Sequence, residues 1–376
     1  MTNVLIPTQA GDRHATSVAH ALRAQGNRAV LWYGSDYPTR QTASISLGDR
    51  SVCQWEVSGT GVDIGRTPFD VVWQRRRSRA VLPNEIHSAD RAAAERECNA
   101  FTDALWELIE PGALWVNPNV GRARARHKPL QLLEAVRAGL STPPTLCSND
   151  PERIREFMAS HKRGVIYKAF LPAHWITHDG GACAFTAVLT PDDLPSDDIL
   201  RLTPGIFQPR IEKDYELRST YVGDYCATAK LLSQKNEASM VDWRASFGDL
   251  AVERSSLPAE VDSACRRLMR RLEIVFGCFD FIVTPRGEHV FLEINEMGQF
   301  LWLDEANDEF DLFGAFCHFL GDGYCGSDWQ PGPTTLKFRD FKHASAVEEE
   351  ALHVPSANCF SVDETDPVFS PSGGTD

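Results

Sequence analysis

The chain has 376 residues, 43% hydrophobic and 24% charged, a balance that excludes a disordered or fibrous protein and is long enough for two or three domains. Its 38 Lys and Arg against 52 Asp and Glu leave a net charge of −14, which excludes a general nucleic-acid binder, because that needs a basic surface. No apolar run approaches the ~20 residues of a membrane span, Met1 opens no signal segment, and ten scattered cysteines without a Cys-x-x-Cys pair read as reduced, mostly buried thiols of a cytoplasmic protein.

Strands and helices alternate from the N-terminus. Val4-Leu5-Ile6 reads as a strand, followed by a helix that carries Val18, Ala19 and Leu22 and ends near Gly26. Ala29–Tyr33 and Asp70–Trp73 are further strands, a long helix runs from about Ser88 to Ile109, and Leu114-Trp115-Val116 closes the unit. This alternation predicts a parallel sheet covered on both faces, over residues 1–118. Arg75, Arg76, Arg77 and Arg79 follow the strand ending at Trp73. In open α/β sheets the carboxyl ends of strands line the ligand crevice, so these arginines read either as an anion site or as a solvated loop.

A second basic cluster, Arg122, Arg124, Arg126 and Lys128, enters a helix that carries Leu132, Leu133 and Val136 and ends at Gly139. A positive helix entrance suits phosphate, although such clusters are more often simply solvated. Residues 142–206 read as a small α+β unit. Pro144–Cys147 is extended, Asp150 caps a helix with Pro151 at its first position, and Val165–Phe170 is a strand with Lys168 inside it. A lysine in an apolar strand is costly unless its charge meets a partner, which marks Lys168 as a functional candidate.

The strands Glu216–Val222 and Tyr225–Leu232 turn at Gly223-Asp224, and a helix spans about Pro258 to Phe276. The most informative stretch follows. Gly277–Phe281 and Phe291–Asn295 read as adjacent strands around the turn Pro285-Arg286-Gly287-Glu288. A turn centred on Arg286–Gly287, with a two- or four-residue loop, places Asp280 opposite Glu293, while the period of two puts Asn295 on the face of Glu293. Two carboxylates and an amide oxygen in apolar strands are expensive to bury unless a hard cation such as Mg2+ takes them as ligands. The plain alternative is an edge hairpin whose acids face water.

Taken in order, the pieces resemble the ATP-grasp enzymes, and more closely the RimK-like maturases of the microviridin type, the graspetide synthetases. The resemblance spans most of residues 3–320. It rests on Val72-Trp73-Gln74-Arg75-Arg76, on Val116-Asn117-Pro118-Asn119 with His127–Leu132, on Ser148–Phe157 and on Ile166–Ala169. It continues through Phe207–Arg218, Val241-Asp242-Trp243-Arg244 and Phe291–Glu305. The Asp-Trp-Arg and Gly-Gln-Phe-Leu-Trp pieces point to the maturase branch, whereas Glu296-Met297 stands where that branch commonly has Pro-Asn.

The resemblance implies a multidomain α/β and α+β chain with the ATP-grasp fold. Its parts would be a pre-ATP-grasp α/β domain (1–118), a central domain with the lid (119–206), a C-terminal metal-binding domain (207–330) and a partly disordered extension (331–376). It implies ATP and Mg2+ as cofactors. Lys128 and Lys168 would grip phosphates, and Gln208, Pro209, Arg210 and Ile211 would form the hinge that meets adenine. Pro209-Arg210 departs from the acid often found there, leaving Glu212 and Glu216 as readers of adenine or ribose. Asp280, Glu293 and Asn295 would hold the metals, and Arg218 and Arg244 would face the γ-phosphate and the activated carboxylate.

The implied chemistry is an ADP-forming carboxylate–amine or carboxylate–alcohol ligase working through an acyl phosphate. Its partner would be an acidic precursor peptide of leader and core, suited by Arg75, Arg76, Arg218 and Arg244, with neither nucleic acid nor membrane as a partner and with room for a homodimer. The alternatives are a ligase that joins an amino acid to a small metabolite or protein terminus, and a catalytically silent nucleotide-binding subunit. The chain offers no phosphate-binding Gly-x-x-x-x-Gly-Lys loop, no Gly-x-Gly-x-x-Gly fingerprint and no locally spaced Ser-His-Asp set.

Overall fold

The computed structural model describes residues 1–49, 53–59, 61–171, 174–177, 180–183, 186–236, 239–244, 250–323, 329–333 and 335–342. Two compact units make up the chain. The first is built from Met1–Asn119, Val222–Tyr225 and the described residues from Gln299 on, and the second from Val120–Tyr221 and Cys226–Gly298.

In the first unit β1 (Asn3–Thr8), α1 (Arg13–Ala24) and β2 (Arg28–Tyr33) follow one another as the alternation predicts. The segment β3 (Gln41–Leu47), β4 (Cys53–Gly59) and β5 (Val62–Ile64) was not predicted and forms an antiparallel sheet. Trp55, Val57, Val62 and Ile64 alternate with polar residues and pack with Trp32 and Trp106, so a period of two is present in runs too short to stand out. Then come β6 (Val71–Trp73), α2 (Ser88–Leu108) and β7 (Leu114–Val116). The sheet β2-β1-β6-β7 is parallel throughout.

Arg75 and Arg76 leave β6 at its carboxyl end but are not a solvated loop. Their side chains are 1% and 7% exposed and lie 3.3 and 3.6 Å from Asp12, the residue that caps α1 through the His14 and Ala15 N–H groups. Arg77 pairs instead with Asp103, 2.8 Å away, and Arg79 is exposed.

The second unit begins with α3 (Asn119–Ala125) and α4 (Lys128–Ala138), the latter stopped by Gly139 in the left-handed region at φ 92°. Its inward face differs from expectation. Gln131, Glu134, Ala135 and Ala138 are buried, while Leu133 and Val136 are 47% and 56% exposed. The inward polar residues are satisfied. Gln131 accepts from the Ile294 N–H and donates to the Ile294 carbonyl, both at 2.9 Å, and Glu134 takes Arg271 and Arg137.

The segment expected to form the lid contains β8 (Leu146–Ser148), α5 (Pro151–Ser160), β9 (Val165–Lys168), β10 (His174–Thr177), β11 (Gly180–Cys183), β12 (Ala187–Leu189), α6 (Asp197–Leu202) and β13 (Gly205–Pro209). Asp150 caps α5 by accepting from the Glu152 and Arg153 N–H groups, with Pro151 in the first turn. Strands β12-β9-β13-β8 form one sheet over a core of Ile154, Met158, Val165, Leu200 and Phe207.

The remainder is β14 (Tyr215–Val222), β15 (Tyr225–Leu231), β16 (Val252–Ser255), α7 (Ala259–Leu272), β17 (Phe276–Val283) and β18 (His289–Asn295), in the sheet order β16-β15-β14-β17-β18. Helix α7 stops four residues before the predicted Phe276. Glu273 turns into the left-handed region at φ 61° and its N–H caps the Met269 and Arg270 carbonyls, which frees Phe276 to begin β17. Helices α4 and α7 cover one face of this sheet around Leu268, Leu272, Phe279, Phe281, Phe291 and Ile294.

The chain then returns to the first unit as α8 (Leu301–Ala306) and α9 (Leu312–Asp322), where Phe316 packs edge-on against Trp73 at 4.8 Å. Phe338 and Phe341 add to α9 through Phe313. Residues 343–376 of the extension lie outside the described residues. Among the described cysteines, Cys265, Cys278 and Cys317 are buried, Cys98 and Cys226 are half-buried, and Cys53 and Cys147 are exposed, Cys53 at the start of its strand and Cys147 on the face opposite Leu146.

Candidate functional site

The hairpin of β17 and β18 pairs Asp280 with Glu293, as expected, but by a different route, and pairs Cys278 with Asn295. Val283 pairs with His289 and the Gly287 N–H bonds to the Thr284 carbonyl, so the turn is centred on Arg286, with Gly287 at φ 80°. A bulge between Asp280 and Phe281 then adds one residue on β18 and restores the register at the carboxylates. The alternate residues Phe279, Phe281, Phe291 and Ile294 go into the core, which fixes the acids on the other face.

Four cations surround these acids. Arg218, on β14, is 3% exposed and places one Nη at 2.8 and 2.9 Å from the two Asp280 oxygens. Arg244 reaches Asp280 at 3.3 Å, Glu293 at 3.1 Å and Asp242 at 3.3 Å, with its guanidinium 5.0 Å from the Trp243 ring centre. Lys128, in the first turn of α4, lies 3.7 Å from Glu293 and donates to the Ala169 carbonyl at 3.1 Å.

Burial alone raises the Glu293 pKa, but Lys128, Arg244, Lys168 and Arg218 overcome it and hold the carboxyl at about 2. Lys168 responds the other way. Burial lowers its pKa, Lys128 and Arg244 lower it further, and Glu293 opposes them. The Arg244 guanidinium loses from burial and gains more from Asp280, Glu293 and Asp242, so its proton is held above the ordinary arginine value.

Lys168 shares a sheet face with Ile166, Ile206 and Gln208. It pairs with Ile206 and Ile166 pairs with Gln208, so all four lie on one face, opposite the Val165, Tyr167 and Phe207 side chains of the lid core. Gln208 is 2% exposed. Its amide donates to Thr145 at 2.9 Å, while its Oε1 is buried with no partner among the described residues. Pro209 has no N–H, and the Arg210 N–H is spent on the Gly164 carbonyl at 2.9 Å. Arg210 itself is exposed and Ile211 half-buried.

Several predicted residues are engaged elsewhere. Glu216 is 6% exposed and takes Lys213 at 2.7 Å, with burial raising its pKa, and Glu212 is exposed. Asn295 Oδ1 accepts from the Met297 and Gly298 N–H groups at 3.1 and 3.0 Å. Of the basic cluster before α4, Arg122 is buried 4.0 Å from Glu296 and Arg124 pairs with Glu273, whereas Lys128 joins the site. Sequence reasoning missed Asp242 as a site member, although it stands inside the Asp-Trp-Arg motif. It also missed Lys213, which holds that motif's loop by donating to the Val241 carbonyl at 3.1 Å.

Neither a protein-family model nor a curated protein matches the chain. Solved structures do. A Chryseobacterium gregarium ATP-grasp ligase associated with ribosomally made peptides, in complex with ADP and a leader and core peptide, superposes with a TM-score of 0.76 at 25% identity, over 86% of this chain and 98% of that one. The macrocyclase MdnC of Microcystis aeruginosa, bound with its precursor peptide MdnA, gives 0.72 at 26% identity, over 85% and 97%. The macrocyclase MdnB of the same organism gives 0.71 at 26%, over 85% and 99%. The chain has the fold of these ATP-grasp ligases. The four-stranded sheet with Lys168 and the five-stranded sheet with Asp280 and Glu293 are the two layers that bring these side chains together.

Proposed function

We propose that this ATP-grasp ligase closes side-chain ester or amide links in a ribosomally made precursor peptide, using ATP and releasing ADP. The supporting observation is the convergence of Lys128, Lys168, Arg218 and Arg244 on Asp280, Glu293 and Asp242, four cations against three carboxylates in one place. Such a surplus suits a polyanion. The relatives crystallised with ADP and with leader and core peptides supply the class of nucleotide and of substrate.

The residues fit both implied groups. The buried Gln208 Oε1 is an acceptor that an adenine amino group would satisfy, and the apolar face of Ile166 and Ile206 beside it suits a purine ring. Paired carboxylates fit Mg2+, which prefers oxygen ligands. Asp280 and Glu293 would hold it, and Asn295 would join once its oxygen leaves the turn N–H groups. When bound, the metal neutralises phosphate charge. Arg75 and Arg76, tied to Asp12 in the other unit, have no place in this reading.

Lys128 and Lys168 hold the phosphates in line. A substrate carboxylate oxygen attacks the γ-phosphorus, the bond to the β-phosphate oxygen breaks, and ADP leaves an acyl phosphate. A side-chain hydroxyl or amine of the same peptide then attacks the acyl carbon. Phosphate departs and the nucleophile's proton passes to it or to water. Arg244 is the group placed to orient the carboxylate, since its planar fork already accommodates carboxylates and is 41% exposed. Arg218, buried on Asp280, fixes that carboxylate instead of meeting the peptide. Little covalent help is required, because positioning and charge neutralisation dominate phosphoryl transfer.

Hydroxylamine trapping tests the intermediate. With ATP, Mg2+ and an acidic core peptide, the enzyme should form peptide hydroxamate in step with ADP. ADP release without hydroxamate would exclude an acyl phosphate.

A further inference from the structure

Asp242 is bonded on both sides. Its Oδ1 accepts from the Arg244 N–H at 3.1 Å and from the Arg244 guanidinium at 3.3 Å. Its Oδ2 accepts from the Thr186 hydroxyl at 3.2 Å and the Thr186 N–H at 3.4 Å. The carboxylate is buried, 7% exposed, so these contacts are its main compensation for leaving water.

Thr186 belongs to the lid portion. It directly precedes Ala187, which pairs with Tyr167, so the antiparallel register puts Thr186 level with Lys168. Arg244, at the other end of the bridge, contacts Asp280 and Glu293 on the carboxylate hairpin. One acid therefore connects the sheet that carries the phosphate-facing lysine to the arginine of the peptide carboxylate.

We propose that Thr186 is a positioning residue, whose bonds to Asp242 set the Arg244 guanidinium for the peptide carboxylate when the lid sheet is in place. This rests on the reading of Arg244 given above. A long arginine held by Asp242 alone keeps considerable rotamer freedom, and a bridge anchored on a strand removes it.

A mutant cycle on the full chain tests it, with Thr186→Val, Thr186→Ser, Arg244→Lys and the double variant T186V/R244K. Thr186→Val should lower peptide-dependent kcat roughly tenfold, the scale of one hydrogen bond to a charged group, and leave KM for ATP in place. Thr186→Ser should restore the rate. In the R244K background, T186V should cost nothing more, because its effect passes through the arginine. Full activity of T186V, a Ser variant as slow as Val, or an additive loss in the double variant would each overturn the proposal. If T186V does not fold, Thr186→Ala allows the same comparison without the added methyl group. An R244K enzyme with full peptide-dependent turnover would instead remove the reading of Arg244 itself, and this inference with it.

Discussion

Gln131→Leu is the perturbation that most directly probes how the fold holds Lys128 to the carboxylate hairpin. Gln131 is 4% exposed, donates to the Ala125 carbonyl, and is paired in both directions with the Ile294 backbone. Leucine has similar bulk but would strand the Ile294 N–H and carbonyl in a dry interior. Each unsatisfied group costs about 1–3 kcal/mol, so the variant should lose roughly 2–6 kcal/mol of stability. At the usual 2–4 °C per kcal/mol for a unit of this size, the Tm falls by about 4–24 °C. Lys128 begins the same helix one turn earlier, so nucleotide affinity should fall with it. Differential scanning calorimetry with and without ADP measures both. A Tm within about 2 °C of wild type and an unchanged ADP affinity would refute the reasoning.

Glu293→Gln should abolish ADP formation while the chain remains folded, because the lost charge serves neutralisation rather than packing; near-normal turnover at ordinary Mg2+ would remove Asp280 and Glu293 as metal ligands. Burial raises Asp304 from 3.8 to about 6 despite two N–H bonds from Leu312 and Phe313. Its protonated form is therefore favoured by folding, and this contribution, full below pH 3.8 and lost as pH rises through 6, is at most about 3 kcal/mol. The unfolding free energy of Asp304→Asn should lack that fall between pH 4 and 6, and an identical pH slope in both proteins would contradict it. At Gly121 a Cβ would sit 2.0 Å from the Glu273 carbonyl oxygen, so Gly121→Ala should push α3 from the end of α7 and cost about 1–3 kcal/mol by denaturant titration.

Much of the hairpin's geometry was legible because one periodicity carried it. Asp280, Glu293 and Asn295 alternate with core phenylalanines, so a period of two placed them together even though the turn was read one position off and the bulge compensated. Lys168 stood out as a charge in an apolar strand. What local pattern left hidden was long-range pairing. Arg75, Arg122 and Arg124 look like surface bases until Asp12, Glu296 and Glu273 arrive from distant segments. Helix α4 misled in the same way, since Gln131 and Glu134 are buried only because Ile294 and Arg271 lie within reach. Arg218 and Arg244 both end a motif as arginines but differ in setting, which becomes visible only when one is found buried and the other open.

The central claim is that ATP hydrolysis drives bond formation within one peptide. Intact-mass spectrometry of an acidic precursor peptide incubated with enzyme, ATP and Mg2+ tests it directly. The account predicts one lost water per ADP formed, with the link mapping to a side-chain acid and a side-chain hydroxyl or amine. ADP accumulation with an unchanged peptide mass, or a mass gain from a joined second molecule, would contradict it.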